Sequence, residues 1–270
     1  MGKVKIKRKS TLIDMTAMSD VTVLLLTFFM LTSTFLQKEP TIVYTPSSVS
    51  EEKVPMNNLV TVLVSSADKG GRLEDPTVTE GKIFISFTGD ADSTLSSENI
   101  RGLMLDQAVA LWNEQNPNKR INLTEAQKAE FRTTNMFGCS FTDLPALLSM
   151  SVTERDKFLG DLTDQRVGIP INGNKDRRGH LNDFQIWLQA IYDVAQRINT
   201  EQAQGLSDEE RLNLNNLYIA LMRKGQGIAI KADKDTPFTT VQQVFDNLQT
   251  MKLNKFSLMT ALKSEDEPTQ

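Results

Sequence analysis

The chain has 270 residues and a net charge of −4, with an isoelectric point near 5.3, so it lacks the basic surface of a nucleic-acid binder. Cys139 and His180 are the only residues of their kinds, which excludes an intramolecular disulfide and a His-clustered metal site and leaves little material for a Ser/His or Cys/His dyad. A mean hydropathy of −0.30 places most of the chain in water, and the length allows one or two domains.

The first eleven residues carry Lys3, Lys5, Lys7, Arg8 and Lys9. Such a cluster before an apolar run predicts a cytoplasmic tail by the positive-inside rule. Val21 to Leu36 reads VTVLLLTFFMLTSTFL, without charge, Gly or Pro. It is short of the roughly 20 residues that span a bilayer, and extension back to Leu12 takes in Asp14 and Asp20. We therefore expect one transmembrane helix over 12–36. It should stay uncleaved, because no A-x-A-like site follows and two carboxylates sit where a signal-peptide core would begin.

Asp20 is the candidate functional residue. A carboxylate at mid-membrane costs about 2.5–3.5 kcal/mol on insertion scales and marks a proton or ion path, whereas one at the interface is simply wetted by headgroups. Thr16, Thr27 and Thr34 stand four and seven residues apart around it, and each seven-residue step drifts only about 20° on a helix. The four form a polar stripe suited to partner helices or water rather than lipid. Asp14 joins them as a candidate for partner-helix contact.

Residues 37–58 hold Pro40, Pro46 and Pro55 with a Ser-rich tract and read as a linker, within which Thr41–Tyr44 can pair as a short strand. Strands are expected at 59–65 and 82–87. Ile100, Leu103, Met104, Ala108, Leu111 and Trp112 then give helical spacing, ending before Asn116-Pro117. Capping boxes Thr124/Gln127 and Ser151/Glu154 open two short helices, and a strong amphipathic helix runs from Leu181 to Ile198. Ser207/Glu210 caps a further helix stopping at Gly225. A strand at 227–232, a helix from Pro237 and a strand at 255–260 suit adjacent pairing in one sheet. The apolar faces read as core rather than partner grooves, and Asp233 as a turn former rather than a catalytic acid. The fold class is α+β: an N-terminal transmembrane helix, then a mixed α/β domain over 59–262 with a small sheet and packed helices, and a disordered acidic tail at 263–270.

Ile13-Asp14-Met15-Thr16-Ala17-Met18-Ser19-Asp20-Val21, followed by Leu24-Leu25-Leu26-Thr27-Phe28-Phe29-Met30, resembles the membrane signature of the ExbD/TolR biopolymer-transport family, I-N-x-T-P-x-x-D-V with a later F-M. Asp14 stands where that family usually has Asn, and Ala17 where it has Pro. The later Ile230-Lys231-Ala232-Asp233-Lys234 with Pro237, Val244-Asp246-Leu248 and Ser257-Leu258-Thr260 resemble its C-terminal signature. The resemblance covers about 11–36, 59–110 and 226–262. It leaves 117–212 as a helical insertion, read as a docking surface.

The resemblance implies a non-enzymatic inner-membrane subunit with protons as coupling ion and no other cofactor. It implies a homodimer whose helices sit in an ExbB-like polytopic pentamer, a periplasmic domain engaging a TonB-like transducer, and Asp20 as the proton carrier. A TolR-like envelope-integrity subunit, a gliding or flagellar-type stator and a membrane-anchored periplasmic binding protein remain alternatives. A membrane-anchored enzyme is disfavoured by the absence of a nucleophile motif or Gly-rich phosphate loop.

Overall fold

The computed structural model describes residues 15–32, 39–41, 43–48, 57–66, 81–89, 96–171, 179–202, 204 and 225–262. The chain divides into two compact units, Met1–Lys38 and Glu39–Gln270.

The described residues of the first unit form one helix, α1 (Met15–Thr32). Eighteen residues rise about 27 Å, against a hydrocarbon core of about 30 Å, and Asp20 and the threonines dilute its apolar character. Among the described residues, no helix is long and apolar enough to cross a membrane. Residues 12–14 and 33–36 of the expected 12–36 span lie outside the described residues.

The second unit is built on a five-stranded sheet. Strands β2 (Leu59–Ser66) and β3 (Gly81–Thr88) are β-branched and aromatic, as the propensities require, and pair antiparallel from Leu59↔Thr88 to Ser66↔Gly81. On its other side β2 pairs parallel with β5 (Ile228–Ala232), and β5 in turn with β6 (Ser257–Met259). The helix between the last two, α7 (Phe238–Thr250), is the crossover expected from the sequence. A two-residue strand, β4 (Met136–Phe137), completes the order β4-β3-β2-β5-β6. A second, minimal sheet pairs β1 (Ser47–Ser48) parallel with β7 (Ala261–Leu262). The short strand expected at Thr41–Tyr44 is absent from its described residues 41, 43 and 44, and the pairing falls instead at Ser47–Ser48.

Strand alternation sorts the main sheet into two faces. Val60, Val62, Val64, Ile83, Ile85, Phe87, Ile228 and Ile230 share one face and are buried. Their opposite neighbours include Thr61, Ser86, Lys82 and Lys231 beside buried Leu63 and Phe84.

Helix α2 (Ser97–Gln115) packs on β3, on α3 (Glu125–Thr133) and on α6 (Asp183–Gln202), which itself meets α7. Both capping boxes are formed, Thr124/Gln127 on α3 and Ser151/Glu154 on α5 (Val152–Gly160). A short α4 (Leu144–Ser149), started by Pro145, lies between them. The helix expected after Ser207 lies outside the described residues, and Gly225, its expected stop, has φ +84°.

The segment expected as an insertion enters the same core. Trp187 on α6 lies 4.7 Å from Phe137, 5.1 Å from Phe141 and 5.9 Å from both Phe87 and Phe131, ring centre to ring centre. Rings from β3, α3, β4 and the loop before α4 thus converge on one indole. Gly138 follows β4, where a side chain would strike the Phe84 ring and the Ile83 carbonyl.

Removing the hub should cost most. Trp187→Ala is expected to destabilise the folded unit by about 3–5 kcal/mol, and Val152→Ala on an exposed surface by less than about 0.5 kcal/mol. Urea unfolding followed by circular dichroism measures both.

Candidate functional site

Helix α1 presents its side chains outward all round. Ten large apolar residues, Met18, Val21, Val23, Leu24, Leu25, Leu26, Phe28, Phe29, Met30 and Leu31, are each at least half exposed, Leu31 at 87%. A helix apolar on every side has no single face to turn toward a small core; such helices lie in lipid or inside a larger assembly. Phe28 and Phe29 meet edge to face at 5.9 Å.

Asp20 stands exposed in the second turn of α1, one residue before the apolar run. Thr27 lies two turns on, on Asp20's side of the helix. Its hydroxyl donates to its own helix, to the Leu24 carbonyl at 2.9 Å, and Thr22 does the same to Met18 at 2.8 Å. These back-bonds satisfy the hydroxyl donors within the helix and leave oxygen lone pairs for a neighbour. Thr16 is helical in backbone; Asp14 and Thr34 lie outside the described residues.

Residues 7–135 match the family described as Biopolymer transport protein ExbD/TolR. Over this stretch the chain is similar to the ExbD/TolR family. The match takes in the basic Lys7-Arg8-Lys9, all of α1, strands β2 and β3, and helices α2 and α3. It covers just under half of the chain and ends immediately before β4. The C-terminal β5-α7-β6 segment lies outside the matched range, although β5 completes the sheet beside β2. No curated protein and no solved structure matches the chain.

The other ionisable groups of interest serve architecture. Arg101 on α2 is buried and donates to the carbonyls of Phe87 (3.2 Å) and Arg132 (3.0 Å) and to the Asn135 side chain (3.0 Å). It ties α2 to β3 and to the end of α3, and burial lowers its pKa. Cys139 is buried, and desolvation raises its thiol far above the ordinary range, which makes it inert. Asp233 accepts the Asp235 backbone N–H at 3.3 Å, and its carbonyl takes Thr236 N–H at 3.0 Å, so it forms the turn after β5. Among the described residues, no group of three or more His, Cys, Asp or Glu is placed to hold a metal ion.

Asp183, which the sequence reading passed over, opens α6. It accepts the Phe141 N–H at 2.9 Å and a bond from the Trp112 side chain, pinning the aromatic cluster to the helix start. Burial raises its pKa above the ordinary carboxylate value of 3.8, and the nearby Asp143 carboxylate adds to the rise. A raised acid binds protons more tightly folded than unfolded, so its contribution to stability is greatest at low pH. That contribution falls as pH rises from 3.8 through the raised value. Asp183→Asn, which keeps an acceptor oxygen but cannot ionise, should abolish this fall. Urea midpoints of both proteins across that pH range test the difference in slope.

Proposed function

We propose that the chain is the anchored subunit of a proton-driven inner-membrane complex, with α1 in the membrane, the N-terminus in the cytoplasm and the second unit in the periplasm. The observation that carries this reading is a helix apolar on all sides, bearing one exposed carboxylate, inside the region matched to ExbD/TolR. Leu12 and Ile13 before it, with Phe35 and Leu36 after, supply the further apolar length that a span needs.

A lone helix in lipid would leave Asp20 facing hydrocarbon, so the reading requires a polytopic partner. We assign that role to an ExbB-like pentamer holding two copies of α1. Each proton crossing the membrane releases about 2.3 kcal/mol per 100 mV, and Asp20 takes up and gives back that proton. Ionised, it is held by polar groups of one partner helix; neutralised, it lets go. The resulting motion of the dimer passes to the second unit, which engages a TonB-like transducer. The chain works without an organic cofactor and is not an enzyme; its coupling ion is the proton.

Asp20→Asn should therefore co-purify with the pentameric partner as wild type does and yet lose transducer-dependent uptake. Thr27→Val, whose hydroxyl donor is already spent within the helix, should retain most of it. Uptake by cells expressing each variant, with co-purification as the assembly control, checks both. Wild-type uptake in Asp20→Asn would overturn the proposal. Leakage of the envelope with intact uptake would move the chain to a TolR-like role.

A further inference from the structure

Beyond residue 135 two short consecutive helices, α4 and α5, enclose a groove of about 700 Å³. Each helix commits one face to the core. On α4 these are Leu144, Leu147 and Leu148; on α5 they are Leu159 and Arg155, whose guanidinium lies 2.7 Å from the Glu130 carboxylate on α3. The remaining faces line the groove at helical spacing. Ala146, Ser149 and Met150 (i, i+3, i+4) form the α4 wall, and Glu154, Lys157, Phe158 and Asp161 (i, i+3, i+4, i+7) form the α5 wall.

Its apolar surface comes from Ala146, Met150 and Phe158. The Phe158 ring is held by the Arg166 guanidinium, 5.1 Å from its centre and itself paired with Asp164 at 2.6 Å. Along α5 the charges alternate, Glu154, Lys157 and Asp161, over about 10 Å from first to last. Both carboxylates are oriented by hydrogen bonds to one of their oxygens. Glu154 accepts from the Ser151 N–H at 3.1 Å and hydroxyl at 2.7 Å, which lowers its pKa from the ordinary value. Asp161 accepts from the Thr163 N–H at 3.2 Å and hydroxyl at 2.6 Å.

This order of signs selects the occupant. A second copy docked face to face would set Lys157 against Lys157 in either direction, with carboxylate against carboxylate at both ends. A partner carrying one sign of charge would still meet a like charge somewhere along the wall. The complementary stripe reads basic, acidic, basic over two turns with an apolar side chain among them, which is the pattern of an amphipathic helix. A helix also fits by shape, since its side-chain ridges pack into the groove between two others.

We propose that the α4–α5 groove docks an amphipathic helix of another protein, one whose docking face carries an apolar anchor and two basic residues two turns apart with an acidic residue between them. The groove lies within the second unit and outside the family-matched residues 7–135, so the proposal stands apart from the membrane reading of α1.

Fluorescence anisotropy with the full-length chain in detergent tests it. The probe is a labelled helical peptide of Ala and Gln, bearing Lys at both ends of a two-turn stripe, Glu at its centre and one Leu anchor; a control peptide exchanges Lys and Glu. The Lys-ended peptide should bind saturably and about tenfold more tightly than the control, with the difference lost in about 1 M salt. Asp161→Lys should weaken it about tenfold. Ala146→Arg, at an exposed position whose longer side chain fills the groove, should abolish binding without moving the urea midpoint. If that midpoint moves, Asp161→Lys carries the test. No binding, equal binding of the two peptides, or undiminished binding to a folded Ala146→Arg would each overturn the proposal. Self-association that Ala146→Arg removes would also overturn it, by making a second copy the occupant.

Discussion

The fold of the second unit depends on the packing of four phenylalanine rings about Trp187. Phe87 and Phe131 belong to the family-matched stretch, whereas Phe137, Phe141 and Trp187 come from residues beyond it. Aromatic pairs of this kind contribute about 0.5–1.5 kcal/mol each beyond the area they bury. The matched half therefore does not close its own core. Its central strand β2 also takes its parallel neighbour, β5, from the last fifth of the chain. A continuous family match that stops at residue 135 is consistent with this build, because the inserted chain separates the sheet's two halves in sequence while packing joins them in space.

The two aspartates that matter most sit in opposite settings. Asp183 is enclosed by protein, accepts two hydrogen bonds and is held above its ordinary pKa by burial; its role is to fasten α6 to the aromatic cluster. Asp20 is exposed on a helix whose large apolar side chains are exposed all round. A buried acid already satisfied by its fold has little to exchange. On the proposed function, an acid on an unburied apolar helix acquires its environment from whatever encloses that helix.

Much of this was legible in the sequence because local rules and tertiary packing agree. The Thr124/Gln127 and Ser151/Glu154 boxes start helices where expected, and the strand–helix–strand run after Gly225 pairs as its length requires. Asp20 was visible as a charge against an apolar run. What escaped had no local signature. Met136–Phe137 is too short to show alternation and is strand only because β3 offers an edge. Glu39 reads as part of a Pro- and Ser-rich linker because its partner, Lys231, stands nearly two hundred residues away. Asp183 has no local signature, since its partners Phe141 and Trp112 lie on other elements.

The account turns on whether protons pass by way of Asp20. The most direct measurement is proton flux into liposomes containing the chain with its polytopic partner, under an imposed membrane potential and followed by an enclosed pH-sensitive dye. The account predicts potential-driven influx with the native chain and only the leak of protein-free vesicles when Asp20 is replaced by Asn. Equal influx in both preparations would contradict it.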